Sequence, residues 1–206
     1  MSAGAGRAGK AARGWAAPMR AMHWATVALL LGAYCAVWAI GAAATAADGA
    51  WLAMLHRSFG VATLALTLVR IVWRQRTGAP PLPADLPMVQ RLAARANVAA
   101  LYGSLVSQPL LGLAGSMLHG DRVTVFGGVV LPNVLPIARP LARGIFRAHG
   151  WIALLLLATI GVHVAAALFH HFVRRDEVLS GMLPGTRRSF PAARPGASAA
   201  AEGSLR

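Results

Sequence analysis

Residues 148–184 read AHGWIALLLLATIGVHVAAALFHHFVRRDEVLSGMLP. From 148 to 173 there is no Asp, Glu, Lys or Arg. A bilayer core needs a helix of about 20 apolar residues, so this stretch predicts a membrane span from about Arg147 to Phe172. His149 and His163 interrupt it. An imidazole inside a membrane is costly without a partner, which makes each a candidate site residue. They lie fourteen residues apart, about 21 Å along a helix and within about 40° of the same face.

Working outward, three more spans are expected. The run from Trp24 to Ala47 is uncharged. It is longer than the roughly 7–15 apolar residues of a signal peptide, although AAATAA resembles a cleavage site. A second span runs from about Trp51 to Trp73, with His56 and Arg57 near one end and Arg70 near the other, where a long side chain can snorkel. Trp51 and Trp73 fit interfacial anchors. A third runs from about Asn97 to Leu118, and Gln108-Pro109 predicts a kink near its middle. The proline-rich RQRTGAPPLPADLP separates the second and third spans. Residues 119–138 form a loop whose VTVFGGVVLP has strand character.

The expected fold is all-α: an integral membrane four-helix bundle. Residues 21–184 form the domain. Residues 1–20 are a basic cytoplasmic tail and 185–206 a disordered one.

Composition agrees with a membrane class. Of 206 residues 57% are hydrophobic and 13% charged, against roughly 25% charged in soluble domains. The net charge of +14 does not indicate nucleic-acid binding, because the aromatics lie in the spans and not among the basic clusters. The single cysteine, Cys35, excludes an internal disulfide and a thiolate metal cluster. The tails and the second linker, with Arg70, hold 15 of the 20 Lys and Arg. By the positive-inside rule both termini are cytoplasmic.

That orientation sorts the histidines by depth. His23 lies at the inner end of helix one, His56 at the outer end of helix two, His149 outer and His163 inner on helix four. His56 with His149 makes an outer pair, and His23 with His163 an inner one. Two imidazoles leave a zinc or copper ion short of ligands. A haem supplies the other four and fills apolar space between helices. Each pair is therefore a candidate for the axial positions of one haem iron. His170, seven residues past His163, is a rival for the inner iron. His170 and His171 also sit near the inner interface, where a quinone head could bind. Taken singly, any one histidine reads as well as an interfacial or partnered core residue, and His119 reads as a surface residue.

Several segments resemble the bacterial cytochrome b561 family, four-helix membrane cytochromes with two b-type haems. The matching pieces are PMRAMHW, LHRSFG, LYGSLVSQPLLG, FGGVVLP and the segment quoted first, over roughly residues 18–184. A more distant similarity is to the cytochrome b subunits that anchor hydrogenases and formate dehydrogenases. The resemblance implies His23, His56, His149 and His163 as axial ligands, decides against His170 as a ligand, and places His170 by a quinone site. Family members commonly carry a histidine where this chain has Val98, which puts the family's quinone contact or proton handling in question here.

The function expected is transmembrane electron transfer from an outer donor to a quinone at the inner side of a bacterial inner membrane. Bis-histidine iron has no open position, so the haems would be relays. The resemblance implies ubiquinone as acceptor and superoxide as a donor, a quinone-linked oxidoreductase of superoxide oxidase type. Arg139, Arg143 and Arg147, spaced four apart, with Arg57, form a candidate steering patch for an anionic donor. The plainer alternative pairs these arginines with haem propionates or lipid phosphates. Two rival functions are a haem-containing anchor that passes electrons for a separate dehydrogenase or hydrogenase subunit, and a membrane protein without haem.

Overall fold

The computed structural model describes residues 15–78, 86–176 and 178–183. Its framework is four helices: α1 (Ala17–Ile40), α2 (Ala46–Thr77), α3 (Met88–His119) and α4 (Arg139–Phe169). All four are long and apolar enough to cross a membrane. A two-stranded antiparallel hairpin, β1 (Thr124–Val125) and β2 (Val129–Val130), lies between α3 and α4. The chain then passes through a π-helical turn, His170–Arg174, and a short 3-10 turn, Ser180–Met182.

Helix ends follow local chemistry. Pro18 in the first turn of α1 needs no N–H partner there, so the helix begins inside the stretch expected to be tail. Residues 1–14 and 184–206, most of both expected tails, lie outside the described residues. Thr45 and Asp48 start α2 with a capping box. The Thr45 hydroxyl accepts from the Asp48 N–H, and the Asp48 carboxylate accepts from the Thr45 N–H, each at 3.1 Å. Such a cap contributes about 1 kcal/mol.

The helices overrun the expected spans. α2 has 32 residues, about 48 Å, against a hydrocarbon core of about 30 Å. Trp51 and Trp73 are both exposed on it and lie about 33 Å apart along the axis, the separation of two interfaces. Arg74 to Thr77, expected as linker, continue the helix. α3 likewise starts nine residues before Asn97, and Pro109 lies inside it without ending it.

α1 packs along α2, and α3 along α4; α2 and α3 meet less closely. Beside buried Met19, Leu105, Leu118 and Leu156, several buried helix positions are small: Ala33, Ala36, Ser58, Ser104 and Ser116. Small residues let membrane helices approach closely. At Gly115 a β-carbon would lie 2.8 Å from the Phe146 ring. Leu31, Trp38, Leu68, Val69, Leu154, Leu155 and Val162 are exposed, an apolar exterior suited to lipid. The hairpin folds over the end of α2 that carries His56. Phe126, at a φ of 52°, is held there by its N–H, which donates to the Ser58 hydroxyl at 2.8 Å. The strand character of this loop was legible; its seat on α2 was not.

Candidate haem sites and the cytochrome b561 family

The helix ends are called outer and inner after the orientation expected from the arginines. At the outer end, His56 on α2 faces His149 on α4, with ring centroids 6.1 Å apart and planes 82° apart. At the inner end, His23 on α1 faces His163 on α4, at 6.2 Å and 60°. Two imidazoles on opposite sides of one metal, with bonds of about 2.0–2.1 Å, place their centroids roughly 6.3 Å apart. Both pairs fit that spacing. Among the described residues no three His, Cys, Asp or Glu come together to hold a bare ion. A macrocycle that brings its own four nitrogens fits this donor set better than zinc or copper does.

The outer pair is oriented by backbone carbonyls. His56 Nδ1 lies 2.9 Å from the Ala33 carbonyl and His149 Nδ1 lies 3.0 Å from the Gln108 carbonyl. Carbonyls only accept, so each Nδ1 carries the proton and donates. That leaves each Nε2 with its lone pair for a metal. The Gln108 amide nitrogen sits 3.1 Å from His149 Nε2. It competes for the same lone pair, so this contact and ligation exclude one another. Gly112 gives the ring its place on α3: a β-carbon there would lie 3.1 Å from the His149 ring.

The inner pair is bordered by polar groups. Arg70 approaches His23 Nδ1 at 3.4 Å. Trp24 lies edge-on to His23 at 5.5 Å, and its indole N–H donates to the Met182 carbonyl at 2.9 Å. Arg20 donates to the Leu183 carbonyl at 3.2 Å. The exit segment therefore docks on the head of α1, beside His23.

The two histidines seven residues apart separate. His163 faces His23, whereas His170 Nδ1 lies 2.5 Å from an Asp176 carboxylate oxygen. Arg174 donates to the same oxygen at 3.2 Å, and the Val178 N–H to the other at 3.2 Å. Arg175, at a φ of 54°, reverses the chain to bring Asp176 back. Partial burial pushes the Asp176 carboxyl up. It is outweighed by the hydrogen bonds from His170, Val178 and Arg174 and by the His170 charge, which hold it below its ordinary value of 3.8.

Arg57 is already engaged: it donates to Asp121 at 2.7 Å, and His119 holds the other Asp121 oxygen at 2.7 Å. Arg139, Arg143 and Arg147 are all exposed on the first turns of α4, where no acidic residue lies. Cations at a helix N-terminus oppose the macrodipole, so this end of the molecule attracts anions.

Sequence reasoning missed Asp121, Asp176, Gln108 and Gly112 as partners of the histidines and arginines. Arg70 was expected to snorkel and instead turns inward, toward His23 and Tyr102. The signal was available, because Arg70 follows His56 by fourteen residues and shares its helix face.

Histidine pairs at two depths between membrane helices are the build of a membrane cytochrome. The chain belongs to the prokaryotic cytochrome b561 family, whose model matches residues 14–185. It is similar to the "Probable superoxide oxidase CybB" of Yersinia pestis, 30% identical over 167 residues, which cover 81% of this chain and 93% of that protein. It is also similar to "Cytochrome b561 homolog 2" of Escherichia coli K12, 35% identical over 63% of this chain and 69% of the relative. "Cytochrome b561 homolog 1" of the same organism is 30% identical over 63% of this chain and 73% of the relative. The protein is thus a bacterial membrane cytochrome that carries electrons with b-type haem.

Proposed function

We propose that the chain passes electrons from an outer anionic donor, superoxide in the leading case, to ubiquinone at the inner side of the bacterial inner membrane. Both termini face the cytoplasm. Residues 21–184 are the electron-transfer unit, holding two b haems, one at His56/His149 and one at His23/His163. The observation that carries this reading is the pair of facing imidazoles at each end, at 6.1 and 6.2 Å. Bis-histidine haem supplies a one-electron centre without an open coordination position.

The chain's own residues do the rest. Ala33 and Gln108 accept from the Nδ1–H groups at the outer pair and fix which nitrogen faces the metal. Asp176 accepts from His170 Nδ1–H, so a ring that also carries a proton on Nε2 can donate it to a quinone oxygen. The test is a redox-titrated absorption spectrum with a haem-to-protein ratio, followed by superoxide-driven ubiquinone reduction in the purified protein. Two haems per chain and quinone reduction are expected. One haem, or none, overturns the reading. Two haems without superoxide-driven reduction overturn the superoxide donor and favour an anchor for a dehydrogenase subunit.

Arg139, Arg143 and Arg147 are proposed to draw the anion to the outer end. Steering fields raise on-rates by about 10–10³. In an Arg143→Gln, Arg147→Gln chain, reduction by superoxide should slow about tenfold at low salt. The gap to the parent should close near 1 M salt, where the Debye length is about 3 Å. A rate indifferent to both changes removes steering and leaves these arginines to lipid phosphates.

A further inference from the structure

Arg70 is a charge inside a membrane bundle with no carboxylate paired to it among the described residues. Its Nε is buried and has no hydrogen-bond partner. Its guanidinium lies 5.6 Å from the centre of the Tyr102 ring, and that of Arg74 lies 5.7 Å from the same ring. The Tyr102 hydroxyl is also buried without a partner. The described carboxylates are engaged elsewhere: Asp48 caps α2, Asp121 holds Arg57 and His119, and Asp176 holds His170 and Arg174. Two guanidiniums thus flank the Tyr102 ring, one of them beside His23, with no carboxylate among the described residues to share. A buried cation of this kind is costly until an anion reaches it.

The contact with His23 adds a second argument. Arginine only donates, so where Arg70 meets His23 Nδ1 that nitrogen must accept, and the ring proton lies on Nε2. Ligation through Nε2 requires the opposite tautomer. The Arg70 N–H then loses its acceptor at the moment iron is bound. At the outer pair the tautomer already suits ligation, because carbonyls accept from both Nδ1 atoms, and only the Gln108 amide would have to leave His149 Nε2.

The geometry points to Arg70, Arg74 and Tyr102 as a clamp for a carboxylate of the inner haem. This rests on the assignment of the inner haem to His23 and His163. A haem held by His23 and His163 would bring its carboxylate with the iron, so an anion would be at hand where Arg70 leaves His23. Two arginines suit a carboxylate through paired N–H donors, and the phenol supplies a third.

The experiment is a redox titration of Arg70→Gln, Arg74→Gln and Arg70→Lys chains, with haem content measured in each. The inner haem is identified as the one lost in a His163→Ala chain. Without a guanidinium nearby, the ferric form gains relative to the ferrous. The inner equilibrium should shift at least tenfold toward ferric, a fall of 59 mV for one electron. The inner midpoint should also become pH-dependent near neutrality, as the freed carboxylate takes up a proton on reduction. Arg70→Lys should recover part of the potential. Selective loss of the inner haem in Arg70→Gln, recovered by Arg70→Lys, supports the clamp equally. If Arg70→Gln does not accumulate, Arg74→Gln carries the same comparison. Unchanged inner potential and pH slope in the glutamine chains overturn the clamp and leave the arginines to a lipid phosphate. If His163→Ala keeps both haems, the ligand assignment fails instead.

Discussion

Replacing His149 with Ala is expected to lower the haem content from two per chain to one, leaving the inner haem with its spectrum and potential intact. On the proposed assignment His149 provides one of the two imidazoles of the outer site, and its partner ring is 6.1 Å away. Loss of groups that merely orient a ligand typically costs 10–100-fold in metal affinity; loss of the ligand itself costs more. The effect should stay local, because the inner pair lies about 21 Å further along α4. Electron delivery from an outer donor should fall with the outer haem, while chemical reduction of the inner one persists. A pyridine haemochrome ratio and a redox titration measure both. Retention of two haems, or loss of both in a chain that still folds, would sink the pairing of His56 with His149.

The second large effect is expected at His170. In a His170→Ala chain both haems should remain and still be reduced from the outer side, while quinone reduction drops by about 10²-fold. Proton transfer by a positioned side chain contributes about 10²–10⁴, and quinone reduction consumes protons as well as electrons. Asp176 accepts the Nδ1 proton and is held ionised through the neutral range by its donors. It thereby holds the ring by Nδ1–H, so that a proton taken up at Nε2 can pass to the quinone. Asp176→Asn should produce a smaller loss, because the imidazole stays but its orientation is no longer fixed. Val98 on α3 offers no titratable group of its own. Stopped-flow measurement separates haem reduction from quinone reduction. A His170→Ala chain that reduces quinone at the parent rate moves the proton donor elsewhere.

Much of this architecture was legible in the sequence. Hydropathy found four spans because a bilayer core admits few charges, and the 3.6-residue period put His149 and His163 on one face. The same tools could not find the ends of α2 and α3. Arg74 to Thr77 and Met88 to Arg95 leave the apolar layer while remaining helical, so composition stops reporting on them. The acceptors of His56 and His149 are main-chain carbonyls of Ala33 and Gln108, and every residue type carries a carbonyl. Asp176 was hidden for another reason. Its approach to His170 depends on a π-helical turn and a left-handed residue at Arg175, which α-helical counting does not anticipate. Arg70 was read only as a side chain able to snorkel, which describes how far it reaches and not which way it faces, and it faces His23.

α4 bears one histidine of each pair, while the partners are divided between α1 and α2. A chain is synthesised from its N-terminus, so His23 and His56 enter the membrane first, and each waits alone. Neither pair is complete until the last helix arrives, and its arrival completes both. On the proposed ligand set, haem loading would follow insertion of α4, and a nascent chain arrested before it would lack one ligand of each pair.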